Sequence, residues 1–239
     1  MDLRLLRAFR GLFEGQRYLH RVSNLGDSVA VELFEDLHRL GRARRFIDSV
    51  DRSERGTGPH NRPVSLERMR RGDGTFGLLI EPEKARRFGD GHVARGRLAT
   101  IDVAVEVKIL NKAMIKQIDR VVNDLEKQVR NWQRASDSPT TLAIIGINHA
   151  DYTIGYEGDR EYRTDGRANK HPCDEAPAAE SHIVERVVAA RIYDEVLILR
   201  YAATNDPPFP FSWLSQRSTE QAYRATLLRL SQRIDERLR

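Results

Sequence analysis

The sequence predicts an α/β fold with a mixed sheet, and three consecutive stretches carry that prediction. Residues 97–110, RLATIDVAVEVKIL, are rich in β-branched residues and read as a strand. Residues 111–133 follow as a long amphipathic helix whose apolar stripe is Ala113, Ile115, Ile118, Val121, Val122, Leu125 and Val129. Residues 138–150, SPTTLAIIGINHA, then give an almost continuous apolar run, the pattern of a strand buried on both faces. A strand, a helix and a strand in succession form a β-α-β unit, so the two strands are expected to be parallel.

The other elements follow in chain order. The N-terminal MDLRLLRAFRGLF is interrupted by arginine too often to form a signal-peptide core. Leu3, Leu6, Phe9 and Phe13 are expected to pack on the rest of the domain, a basic helix lying on a membrane surface being the other reading. Residues 26–46 read as one helix capped by Asp27 or Ser28, with Val29, Leu33, Phe34, Leu37 and Leu40 on one face. The Arg-, Gly- and Pro-rich residues 51–64 read as a mobile loop, residues 65–74 as a helical turn and residues 76–81 as a short strand ended by Pro82. Residues 151–180 form an insertion, a loop or hairpin in the position of a lid. Residues 181–193 read as a helix, 195–201 as a strand and 218–239 as a closing helix. The prolines and aromatics of residues 204–214 are expected to pack on the edge of the core, with wedging against nucleic-acid bases as the alternative.

The chain has 239 residues and reads as one domain, with a core over 28–150, the insertion over 151–180 and a C-terminal helix-strand-helix extension over 181–239. A single cysteine, Cys173, excludes an intramolecular disulfide framework and fits a reducing, cytoplasmic setting. No apolar run approaches the roughly 18 residues that span a bilayer, so no membrane partner is expected. The net charge of +5 favours polyanionic partners. Residues 140–210 run against it, with 7 Lys+Arg and 12 Asp+Glu (7 − 12 = −5), either steering a polyanion or serving as ordinary solvated surface.

The strand at 102–108, DVAVEVK, carries the chemistry. Side chains alternate along a strand, so Asp102, Ala104, Glu106 and Lys108 share one face, and Val103, Val105, Val107 and Ile109 the other. Glu106 and Lys108 lie about 6.6 Å apart along the strand, close enough for their ends to converge. A carboxylate gives a divalent cation hard oxygen ligands, and an adjacent ammonium can orient water or stabilise charge on a phosphoryl oxygen. Those are the parts of metal-assisted phosphodiester hydrolysis. A structural ion pair on a solvated sheet face has the same sequence pattern.

With Asp102, then Glu106-x-Lys108, then a helix carrying Gln117, the sequence resembles the PD-(D/E)xK nuclease superfamily over roughly residues 28–150. The resemblance implies a restriction-endonuclease-like αβββαβ core with a mixed central sheet flanked by helices, here with a C-terminal α/β extension. It implies that Asp102 and Glu106 bind Mg²⁺ or Mn²⁺, that Lys108 is the catalytic lysine, and that Glu32, with Glu35 as alternative, is the acid of the first core helix. Gln117 and Lys116 would contact the scissile phosphate or position the metal site, and Lys112, Lys116 and Arg120 would contact nucleic acid. The spacing departs from the family pattern, in which the first acid commonly precedes the ExK by ten or more residues across a hairpin. Four positions are about 13 Å on a regular strand, too far for two carboxylates to share an ion that takes oxygens at about 2.1 Å. Either the chain bends at 100–102 or another acid, Glu81 or Asp90, completes the site.

No CxxC or HxxxH occurs, and the HPC around Cys173 is poorly spaced for zinc. His149 falls at a strand end, where either an active-site group or a satisfied structural histidine can sit. The expected function is metal-dependent hydrolysis of phosphodiester bonds, of DNA in the first place, by an endonuclease that can act as a homodimer. A non-catalytic nucleic-acid-binding module on the same fold is the alternative, and a plain interaction protein the third.

Overall fold

A computed structural model describes residues 2–19, 25–58, 72–135, 138–157, 160–165 and 170–238. The described elements are helices α1 (Arg4–Gly11), α2 (Leu25–Leu40) and α3 (Arg44–Asp51), strands β1 (Arg55–Thr57), β2 (Gly74–Leu78) and β3 (Val103–Leu110), helix α4 (Met114–Ala135), strands β4 (Thr140–Asn148), β5 (Ile154–Glu157) and β6 (Arg160–Arg163), helix α5 (Pro172–Ile183), strands β7 (Glu195–Ala203) and β8 (Phe211–Trp213), and helix α6 (Gln216–Arg237). Six strands form a mixed sheet in the order β1-β2-β3-β4-β7-β8, and β5 and β6 form a separate hairpin. β1, β2 and β3 are antiparallel neighbours, β3, β4 and β7 run parallel, and β8 returns antiparallel to β7.

Helices cover both faces of the sheet. On one face Val103, Val105, Val107, Leu142, Ile144, Leu197 and Leu199 pack with the apolar stripes of α1, α2 and α6. On the other, Ala104, Leu110, Ala143, Ile145 and Ile147 meet Ile118, Val122, Leu125 and Trp132 of α4 and Ala176, Ala179 and Ile183 of α5. All nine residues of β4 are buried, as its unbroken apolar run requires. Glu106 and Lys108 share the α4/α5 side with Ala104, placing two charges on a mostly apolar face.

Several expected boundaries move, each for a local reason. The helix expected over 26–46 is two helices, broken where Gly41 adopts a φ of +70°. Regular β3 begins only at Val103, because 95–98 make isolated bridges to Thr57, Leu79 and Arg86. The helix expected from 181 begins at Pro172, with proline in its first turn followed by Asp174 and Glu175, and continues past Ile183 as a π-helical turn over Val184–Val188. Pro177 inside it disguised that start. The insertion contains the β5–β6 hairpin, and the loop expected at 51–64 contains β1. The rest of that loop from residue 59, with most of the turn expected at 65–74, lies outside the described residues. Phe211 and Trp213 pack on the core, as do Leu3, Leu6, Phe9 and Phe13. Among the described residues no helix is long and apolar enough to cross a membrane.

Candidate active site

The centre of the site is the middle of β3. Lys108 Nζ donates to Glu106 Oε1 at 2.5 Å, with the carboxylate side chain 8% exposed and the lysine 24%. Both point to the same face because they stand two residues apart on a regular strand. A carboxylate this buried on an otherwise apolar face carries a desolvation cost that a bonded cation offsets.

A second carboxylate reaches this centre from the neighbouring strand. Gly74 pairs with Val105, so the β2–β3 register carried one residue further sets Asp73 opposite Glu106. Asp73 Oδ2 accepts from the backbone N–H of Val107 at 2.8 Å, closing the ladder where β2 begins. Its carboxyl is seated against the first turn of α2 at Gly26, where an added Cβ would lie 2.4 Å from Asp73 Cγ. Behind it, Gly72 lies against Trp132 and Gln128 of α4. Tyr193, buried in the same face, gives its hydroxyl to the carbonyl of Leu125 at 3.2 Å. Its ionisation is pushed well above the usual tyrosine range, first by burial and then by the charges of Glu106 and Asp73. One phenol thus feels both carboxylates.

The other sequence candidates are held elsewhere. Asp102 stands one residue before β3 and accepts from Arg55 Nε at 2.8 Å and Thr100 Oγ1 at 3.1 Å. Glu32 is ion-paired with Arg4. Glu35 accepts from the backbone N–H groups of His92 at 2.9 Å and Val93 at 3.0 Å. Asp90 pairs with Arg4 and Arg39, and Glu81 with Lys84 and Arg97. Gln117 donates to the Lys112 carbonyl at 3.1 Å and lines, with Lys112 and Arg120, a cleft of about 350 Å³ whose walls include neither Glu106 nor Lys108. Lys116 is exposed on the same turn of α4. The His149 ring is held toward its neutral form chiefly by burial. The Cys173 thiol is pushed up by burial, then by Asp174 and Asp151, which disfavours a thiolate.

Asp73 is the residue that sequence reasoning passed over. Its signal was present: an acid flanked by two glycines, GDG, directly before the FGLL strand and a hairpin away from the ExK. Reading the segment as a helical turn hid it.

Among the described residues no three His, Cys, Asp or Glu side chains are grouped closely enough to enclose a metal ion. The donor set still fits Mg²⁺ or Mn²⁺, since Mg²⁺ keeps several waters and is commonly held by only one or two carboxylates together with substrate phosphate oxygens. Comparisons with protein-family models, with curated proteins and with solved structures find no match to the chain.

Proposed function

We propose that the protein is a metal-dependent nuclease that hydrolyses phosphodiester bonds of nucleic acid, DNA in the first place, with its centre at Asp73, Glu106 and Lys108. The observation that carries this reading is the approach of Asp73, at the head of β2, to the Glu106–Lys108 pair in the middle of β3. It restores the long first spacing, 33 positions from Asp73 to Glu106 (106 − 73), that Asp102 failed to supply. Among the described elements α2, β1, β2, β3, α4 and β4 follow one another in the order of the restriction-endonuclease-like core, with α3 and a 3₁₀ turn at Pro82–Lys84 set between them, and this order supports the same reading.

Asp73 and Glu106 would hold Mg²⁺ or Mn²⁺, which when bound supplies Lewis-acid stabilisation of charge on the phosphoryl oxygens. Lys108, bonded to Glu106 in the structure, would orient the attacking water and stabilise the negative charge that develops on the phosphoryl oxygens. Tyr193 and Trp132 close the site from below and keep water off the buried side of both carboxylates. The arginine pairs of Asp102 and Glu32 leave those acids with a structural part.

The test is cleavage of plasmid and single-stranded DNA with Mg²⁺, Mn²⁺ or EDTA, wild type beside Lys108→Ala and Glu106→Gln. Metal-dependent cutting that disappears in both variants supports the assignment; equal cutting by all three proteins removes it. Salt-sensitive DNA binding with no turnover under any metal would instead select the non-catalytic binding module.

A further inference from the structure

β7 is an interior strand for only part of its length. On one side β4 pairs with it from Glu195 to Tyr201, whereas on the other β8 pairs only with Tyr201, Ala202 and Ala203. The Leu214 N–H then bonds to the Arg200 carbonyl at 3.2 Å, and the chain turns away at Ser215 into α6. Residues 195–199 therefore form an open edge of the sheet. At the opposite end, the last residue of β1, Thr57, donates its N–H to the Ala94 carbonyl and accepts the Gly96 N–H, both at 2.9 Å, so residues 94–96 cover it.

The alternation of the strand decides which groups stand on the open edge. Successive residues turn their N–H and C=O to opposite neighbours. The Tyr201 carbonyl accepts from the His149 N–H at 2.6 Å on the β4 side, and the Arg200 carbonyl accepts from Leu214 on the β8 side. Val196 and Ile198, in step with Arg200, thus present N–H and C=O outward, and Glu195, Leu197 and Leu199 turn theirs to β4. Among the described residues no hydrogen bond reaches Val196 or Ile198 from outside.

This edge lies in a groove of about 590 Å³ whose walls come from the two faces of the sheet. On the α5 side stand Val188, exposed on the π-helical turn, and the exposed Arg191, which has no ion-pair partner among the described residues. On the α6 side stand the exposed Arg229 and Arg233, whose Nε atoms donate to the Glu195 carboxylate at 2.8 and 3.3 Å. Three arginines face two acids, Asp194 and Glu195, in the lining (3 − 2 = +1), and Asp194 is further held by Arg237. One wall is apolar with a free cation, the other basic.

We propose that this groove docks an extended acidic segment of a partner protein, which joins the sheet as a strand beside β7. The proposal is independent of the nuclease reading. An added strand satisfies the outward N–H and C=O groups of Val196 and Ile198, and its alternation sends apolar side chains toward Val188 and carboxylates toward Arg229 and Arg233. The arginines also discourage indiscriminate pairing at an open edge. A second copy brought edge to edge would set arginine against arginine. A polynucleotide would meet the arginines but not the row of N–H and C=O groups.

Fluorescence anisotropy with a short labelled peptide of alternating valine and glutamate, beside the same peptide with lysine for glutamate, tests the site. The glutamate peptide is expected to bind about tenfold or more tighter. Val196→Pro removes only an outward N–H, because the bonds to β4 run through residues 195, 197 and 199, and should weaken binding about tenfold. Arg191→Glu should weaken it about tenfold and flatten its salt dependence. Val188→Asp, on the exposed wall, should weaken it as well, and melting temperatures show that each variant is folded. Amide exchange reads the edge directly: in the free protein the Val196 and Ile198 N–H groups should exchange faster than those of Leu197 and Leu199, and slow when the peptide binds. Binding of neither peptide, equal binding of both, affinity unchanged in Arg191→Glu and Val188→Asp, or Val196 as protected as Leu197 in the free protein overturns the proposal. A dimer in sedimentation that Val188→Asp dissociates would give the edge to a second copy and overturn it too.

Discussion

Two places in this molecule set carboxylates beside a buried tyrosine, and they use them differently. On one face of the sheet, Asp36 is fully enclosed and every donor it needs comes from the chain: the N–H groups of Arg4 at 2.9 Å and Leu5 at 3.0 Å, and the Tyr223 hydroxyl at 2.7 Å. It caps α1, whose own N-cap, Leu3, offers no side-chain acceptor, and ties that helix to α2 and α6. Tyr193, buried on the opposite face, feels the charges of Glu106 and Asp73 but keeps its hydroxyl for the Leu125 carbonyl, while Asp73 accepts from the Val107 N–H and Glu106 from Lys108. An acid whose oxygens are filled by fixed backbone and phenol donors is part of the scaffold. An acid held by a movable ammonium can exchange that partner for a ligand.

Five substitutions test this contrast, the largest effect first. Glu106→Gln should lower cleavage by about 10²-fold or more, the scale seen when one charge-stabilising group is removed from an active site, with a small change in melting temperature. Asp73→Asn should lower cleavage by about 10–100-fold, whereas Asp102→Asn should leave cleavage near wild type and cost stability of about 1 kcal/mol, read by urea unfolding. Equal activity losses at 73 and 102 would erase the distinction between them.

Asp36→Asn should leave cleavage intact and cost about 1.5–3 kcal/mol of stability, the value of hydrogen bonds to a buried charged group. It also carries a pH signature. Burial raises the Asp36 carboxyl above its ordinary value of 3.8, against the lowering effect of its three donors. The folded state therefore binds a proton more readily than the unfolded state, so this contribution is fully present below about 3.8 and is lost as pH rises through the raised folded value. Wild-type stability measured against Asp36→Asn should accordingly grow as pH falls through that window; a gap that shrinks there contradicts the assignment. The smallest expected effect is at Gly26→Ala. Loss of a helical glycine favours the fold by about 0.5–1 kcal/mol, and contact with Asp73 opposes it, so melting should barely move. The displaced Asp73 carboxyl should still lower cleavage severalfold, separating activity from stability at one position.

Much of the architecture was legible because it follows from short periods in the chain. The alternation in DVAVEVK put Glu106 and Lys108 on one face, and the stripe of α4 and the apolar run of β4 implied a parallel pair. What failed was local conformation set by distant partners. β1 exists because Arg55, Gly56 and Thr57 pair with Leu78, Gly77 and Phe76, and three residues have no period to read. α5 is a helix despite Pro177 because Ala176, Ala179 and Ile183 bury against α4 and β4. The partner of Asp102 is Arg55, 47 positions away, a pairing that no reading of the strand's alternation contains.

By itself the sequence determined the sheet's central β-α-β unit, the face on which the ExK charges lie and the basic start of α4, because strand alternation and helix periodicity are properties of consecutive residues. Only the tertiary structure decided which acid joins Glu106, which acids are spent on arginines and where a cleft opens. Those depend on strand register and on side chains that meet across dozens of positions, and no window of adjacent residues contains that information.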